Sequence, residues 1–194
     1  MNYAFSQATK STVKLPIDES TKLITYTKVI DVTNQTKDVL FDRALAWTKG
    51  YYKNPTEVIR EQNKEEGKIV CKGRYKISNP ADKKGFATDA GLIQYTLTLL
   101  FKDGKIKYTL SETNWKQTSY YACEKWMDTS SQYYKTEFAY YLEQLDTNSK
   151  EILKSLEKEC LNPKTEKAKD NWLLDFYSSS EGIESNYWIF KIDV

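Results

Sequence analysis

The chain has 194 residues, 40% hydrophobic and 29% charged, with 29 basic side chains against 27 acidic ones. That is enough to enclose one full hydrophobic core, and the near balance of charge argues against a protein built to neutralise many phosphates. Histidine is absent, which removes the commonest general base, the commonest zinc ligand and every Ser-His or Cys-His nucleophile pair.

The three cysteines, Cys71, Cys123 and Cys160, are odd in number and far apart. A complete disulfide framework is excluded, and a zinc site is not expected. No run of about 18 apolar residues is available to span a membrane. The opening residues, Met1 to Ala8, show neither a basic n-region nor an apolar h-region, so no signal peptide is expected as written.

In chain order, residues 1 to about 20 read as a polar N-terminal arm. From Thr21 to Val32 the pattern alternates, with Ile24, Tyr26 and Ile30 on one side and Thr25, Thr27 and Val29 on the other, as in a strand. Thr36 is placed to cap a helix carrying Asp38 in its first turn. Along that helix Leu40, Phe41, Ala44, Leu45, Trp47, Tyr51 and Tyr52 form an apolar stripe, and Asn54-Pro55 ends it. The stripe reads as core rather than as a ligand cage.

Glu57 to Gln62 reads as a short strand and Asn63 to Gly67 as a polar turn. Lys68 to Ser78 alternates clearly: Ile69, Cys71, Tyr75 and Ile77 inward, Lys72, Arg74 and Lys76 outward. Cys71 is therefore expected to be an inert buried thiol. A loop from Ser78 to Ala90 leads into the strongest signal in the chain. Two alternating runs flank Asp103-Gly104, a dipeptide suited to a type I′ hairpin turn. Ile93, Tyr95, Leu97, Leu99 and Phe101 share one face with Ile106, Tyr108 and Leu110. Gln94, Thr96, Thr98, Lys102, Lys107 and Thr109 share the other, where Leu100 is the apolar exception. The sheet thus has one oily face and one wet one.

The return strand is expected to run on toward Trp115, while residues 116–134 are mixed in pattern. Phe138, Tyr141, Leu142 and Leu145 suggest one helix, and Ile152, Leu153, Leu156, Cys160 and Leu161 a second, capped at Ser149 or Thr147. Residues 162–194 read as a C-terminal extension packed on the same domain, with a short amphipathic helix around Trp172 to Tyr177 and a final strand from Tyr187 to Ile192.

The whole is an α+β chain: a five-stranded antiparallel sheet in β-α-β-β-β-β-α order over residues 20–161, with helices on one face. It resembles a bacterial domain of unknown function described as having a TATA-binding-protein-like (TBP-like) fold. The resemblance is carried by the strand Thr25 to Ile30, the helix Leu40 to Trp47, the strand Gly67 to Gly73, Tyr95-Thr96-Leu97 and Lys102-Asp103-Gly104. It implies proteins made with a leader peptide, hence a periplasmic or secreted setting if a leader was removed and a cytoplasmic one otherwise. Its motifs are structural and carry no chemistry.

No glycine-rich phosphate loop, Gly-x-Ser-x-Gly elbow or metal-ligand spacing occurs. An enzyme, a cofactor and a metal are therefore not expected. Cys123 has no visible activating partner. The function expected is an interaction or ligand-binding module of the cell envelope, with a protein or carbohydrate partner. Its candidate surface combines basic residues Lys72, Arg74 and Lys107 with aromatics Trp115, Tyr120, Tyr121 and Trp126. The four tyrosine doublets have a simpler reading, one ring in the core and one at its edge. The alternative function is nucleic-acid binding on the open basic face. An ordinary solvated sheet face competes with both.

Overall fold

The computed structural model describes residues 13–161. The first part of the expected N-terminal arm and the expected extension over 162–194 lie outside the described residues. Chain order is strand β1 (Tyr26–Asp31), helix α1 (Lys37–Tyr51), single-turn helix α2 (Pro55–Val58), then strands β2 (Ile59–Asn63), β3 (Lys68–Ser78), β4 (Asp89–Lys102), β5 (Lys105–Lys116) and β6 (Tyr120–Ala122). A 3-10 turn (Cys123–Met127) and helix α3 (Glu137–Leu161) follow.

All strand pairs are antiparallel, and the sheet runs β1-β5-β4-β3-β2, with β6 added to β5. The expected order of elements holds, and β6 is a sixth short strand. Because β1 and β2 lie near opposite edges, the chain between them must cross one face of the sheet. Helix α1 makes that crossing, burying Leu40, Phe41, Ala44 and Trp47. Beneath it Ile69, Cys71, Ile93, Leu97, Leu99, Ile106 and Leu110 are fully enclosed. This is the face that alternation assigned to the core.

Thr36 caps α1 as expected, its hydroxyl accepting the Val39 N–H at 3.4 Å. The hairpin turn differs from the expected type I′. Only Gly104 takes a positive φ, 69°, whereas type I′ needs positive values at both central residues. Tertiary bonds hold this turn instead. Val32 N–H donates to the Gly104 carbonyl at 2.7 Å, and Gly104 N–H donates to the Gln35 carbonyl at 2.8 Å.

Two further expectations are corrected. Glu57 and Val58 belong to helical α2 rather than to a strand, because Pro55 starts a helical turn with its fixed φ. The two helices expected between 138 and 161 are one continuous α3 of 25 residues. Phe138, Tyr141, Leu145, Ser149, Ile152, Leu153, Leu156 and Cys160 are buried along it at uninterrupted i+3/i+4 spacing. Ser149 is a small buried member of that stripe, not a cap. Near its C-terminal end α3 lies along α1, where Trp47 Nε1 donates to Ser155 Oγ at 3.0 Å and Arg43 to the Cys160 carbonyl at 3.3 Å.

Candidate ligand-binding surface on the open sheet face

Two β-bulges decide which side chains reach the open face. In β2, Ile59 pairs with Cys71 but Glu61 with Val70, so Arg60 is an extra residue. It lines a hollow together with Lys72, Gln94, Asn114 and Tyr120. In β5, Gln94 and Thr96 of β4 face Asn114 and Ser111, leaving one surplus residue on the β5 side. Glu112 takes φ 54° there, a left-handed conformation uncommon for a residue with a Cβ. From Leu110 inward, unbroken alternation would carry Trp115 to the wet side. The bulge reverses the phase, so Thr113 is buried, Asn114 lines the open face and Trp115 turns inward.

This corrects the aromatic half of the expected surface. Trp126 is fully buried. Trp115 packs within 5.4 Å of it, ring centre to ring centre, and donates its indole N–H to the Ala90 carbonyl at 2.7 Å. Phe138 and Tyr141 of α3 complete the cluster. Tyr121 also faces it, 6.3 Å from Trp115, with Lys125 Nζ 5.2 Å from its ring. Of the aromatic candidates only Tyr120 stands out in solvent, 57% exposed, with Lys116 Nζ 5.4 Å from its ring centre. The other doublets divide the same way, Tyr51, Tyr133 and Tyr140 exposed beside the more buried Tyr52, Tyr134 and Tyr141.

The basic half is brought together in part. Lys72 and Arg74, two apart on β3, share the open face and lie about 7 Å apart along the strand. They line a hollow of about 460 Å³ with Arg60, Lys53, Glu57, Tyr52 and Gln94. A neighbouring hollow of about 650 Å³ shares Arg60, Lys72 and Gln94 with it and adds Asn114 and Tyr120. Both open broadly to solvent. The Tyr120 hydroxyl reaches Gln94 Oε1 at a long 3.4 Å.

Lys107 does not join them. It lies beside Leu100 on β4 and Val29 on β1, both exposed aliphatics, roughly 16 Å from Lys72 by strand spacing. Arg60, Asn114 and Lys53 were missed in the sequence. For Asn114 and Arg60 the missing information is bulge position, which alternation does not encode.

Electrostatically the hollow is one-sided. Four cations, Lys53, Arg60, Lys72 and Arg74, line it with one carboxylate, Glu57, and a second carboxylate, Glu112, lies close by, bonded to Thr96 opposite Lys72. Among the described residues none of those four is in a salt bridge, whereas Lys28, Lys37, Lys64, Lys68, Lys76, Lys105 and Lys150 each are. A groove of about 640 Å³ between the β1 edge and α3 offers the contrast. There Glu157 accepts from Lys28 and Tyr108, and Asp18 from Ser20 and Thr21. Both carboxylates are thereby engaged within the fold, while Glu19 stands exposed beside them.

The three thiols are all buried. Burial pushes Cys71 up to about 11 and Cys160 up to about 12, and raises Cys123 as well. Among the described residues no cluster of His, Cys, Asp and Glu could hold a metal ion, and no helix is long and apolar enough to cross a membrane.

An antiparallel open sheet with both long helices on one face and a polar opposite face defines an α+β domain with a TBP-like fold. Residues 26–116 match the family model of DUF4468, a domain of unknown function with TBP-like fold. A DUF4468 family protein from Bacteroides ovatus ATCC 8483 superposes with a TM-score of 0.63 at 14% identity, over 80% of this chain and 95% of that one. A TBP-like protein from Parabacteroides distasonis ATCC 8503 covers 74% of this chain and 97% of its own at 14% identity, with a TM-score of 0.49. No curated protein matches the sequence.

Proposed function

We propose that the chain is a non-enzymatic binding module of the bacterial cell envelope whose ligand sits on the open sheet face around Lys72. The observation that carries this reading is the convergence of Arg60, Lys72, Arg74, Gln94, Asn114 and Tyr120 on two adjoining hollows, with the cations free of salt bridges among the described residues. Cations left without a carboxylate partner retain their charge-assisted hydrogen bonds for a ligand. The buried, weakly acidic thiols favour binding over covalent chemistry. The envelope setting follows from the family resemblance, and fractionation of cells carrying the tagged native gene checks it.

The test is an NMR titration of the folded chain against a panel of glycans, peptides and small anions. The expected result is a ligand whose amide shifts cluster at Lys72, Arg74, Gln94 and Asn114. A panel that perturbs only another face would overturn the reading. Nucleic-acid binding on the same face predicts affinity that falls steeply between low and moderate salt.

A further inference from the structure

The hollow's chemistry points to a class of ligand. Resting on the binding reading above, we propose that it takes an acidic sugar, a saccharide unit carrying a carboxylate among its hydroxyls. Arg60 and Arg74 supply planar guanidinium forks that match a carboxylate in two parallel hydrogen bonds, and Lys72 adds a point charge between β2 and β4. The surrounding floor is neutral and bifunctional. Gln94 presents its amide N–H groups and Asn114 its amide oxygen and one remaining N–H, the other donating to the Glu112 carbonyl at 2.9 Å, and the Tyr120 hydroxyl, in its long contact with Gln94, still accepts. That combination suits a ligand dense in hydroxyls with few charges. Tyr120 stands exposed at the edge with Lys116 Nζ over one face of its ring, leaving the rest of the aromatic surface for a pyranose to lie against.

Two other anionic partners fit the same surface less well. An extended acidic peptide gains affinity by pairing its backbone with an open strand edge. Lys72, Gln94 and Asn114, at the centre of the hollow, belong to β3, β4 and β5, whose ladders are paired on both sides, and only Arg60 on β2 and Tyr120 on the three-residue β6 lie on edge strands. A nucleic acid needs cations in a stripe that tracks the phosphates. Here they are gathered in one hollow, and Lys107 stands roughly 16 Å away beside Val29 and Leu100.

The experiment is calorimetric titration of the full chain with tetragalacturonate, with maltotetraose, hexaglutamate and a single-stranded oligothymidylate as the other arms. Tetragalacturonate is expected to bind and maltotetraose not to. Arg74→Ala and Lys72→Ala should each weaken binding by about tenfold, the usual worth of a charge-assisted contact. Lys107→Ala should leave it unchanged, and thermal melts confirm that each variant is folded. Tighter binding of hexaglutamate or oligothymidylate, or equal binding of maltotetraose, would overturn the acidic-sugar assignment and leave the open-face module standing, provided Arg74→Ala still weakens it. No binding in any arm sinks the acidic-sugar assignment alone. The module itself falls only if the wider NMR panel also leaves Lys72 and Arg74 unperturbed.

Discussion

Asp103, at the tip of the β4–β5 hairpin, accepts the backbone N–H of Lys37, the first residue of α1, at 2.7 Å. A residue 66 positions downstream thus satisfies one of the orphan donors that begin every helix. The same carboxylate sits where the helix dipole favours negative charge. Hairpin and helix are thereby locked at the point where α1 begins to cross the sheet. Asp103→Ala should cost about 1 kcal/mol, the usual worth of a helix-capping side chain. Asp103→Asn, which keeps an acceptor oxygen, should recover most of it. Urea midpoints of the two variants and of Thr36→Ala, which removes the local cap, check this. Equal losses for the Ala and Asn variants would show that the N–H acceptor is not what matters.

Gly73 sits opposite Tyr95 across the β3–β4 ladder. A Cβ at that position would lie 2.4 Å from the Tyr95 ring. Gly73→Ala should therefore destabilise the fold by about 1–3 kcal/mol through overpacking. The Tyr95 hydroxyl would also be pushed from its 2.9 Å hydrogen bond with Tyr52. Thermal melts of Gly73→Ala, against Gly50→Ala where added atoms meet nothing within 4 Å, separate crowding from a general glycine effect.

The bulge at Glu112 makes a sharper prediction. Deleting that one residue removes the bulge and leaves Leu110, Thr113 and Trp115 on one face by plain alternation, so Trp115 keeps its place beside Trp126, Phe138 and Tyr141. The cost should fall well below that of Trp126→Ala, about 3–5 kcal/mol for loss of a buried indole. Chemical unfolding followed by tryptophan fluorescence reads both variants. A deletion variant as unstable as Trp126→Ala would show that the bulge itself, and not only the phase that it sets, holds the cluster.

Alkaline pH should erode stability through the thiols. Folding holds Cys71 and Cys160 protonated up to about 11 and about 12, against an ordinary value of 9.0. Below that ordinary value both states are protonated and the contribution of burial is complete. As pH rises past it the unfolded thiols ionise first, so the folded state binds more protons and stability falls, until each folded thiol also ionises. The slope is at most about 1.4 kcal/mol per pH unit for each thiol. Urea midpoints at pH 8 and pH 10.5 should show the decline, and Cys71→Ala should make it shallower. Native protein at neutral pH should resist iodoacetamide at all three thiols, and rapid labelling of Cys123 would contradict its burial.

The fold was legible where local pattern and tertiary demand agree. Lys68 to Ser78 alternates because one side meets α1 and the other meets water, and β3 has those same bounds. The Asp103-Gly104 pair marked the hairpin, although tertiary bonds to Gln35 and Val32 selected another turn. The break read into α3 came from treating Ser149 and Thr147 as caps, where the burial of Ser149 against the sheet overrides its capping preference.

The candidate surface was half legible for a related reason. Strand alternation placed Lys72 and Arg74 correctly, but a one-residue bulge decides the fate of everything beyond Glu112. Its position is set by cross-strand pairing that the local sequence does not display. Arg60 was hidden by the second bulge in the same way.

Helix α3 begins 21 residues beyond the last position of the DUF4468 match, at Glu137 against Lys116. Yet it covers sheet side chains that the matched stretch supplies. Tyr26 and Tyr108 bond its carboxylates, and Trp47 its Ser155. A gene fragment cut at the borders of the family match would therefore encode a sheet with part of its greasy underside bare, and such a product should clump on expression. Anyone subcloning this domain needs the chain through Leu161.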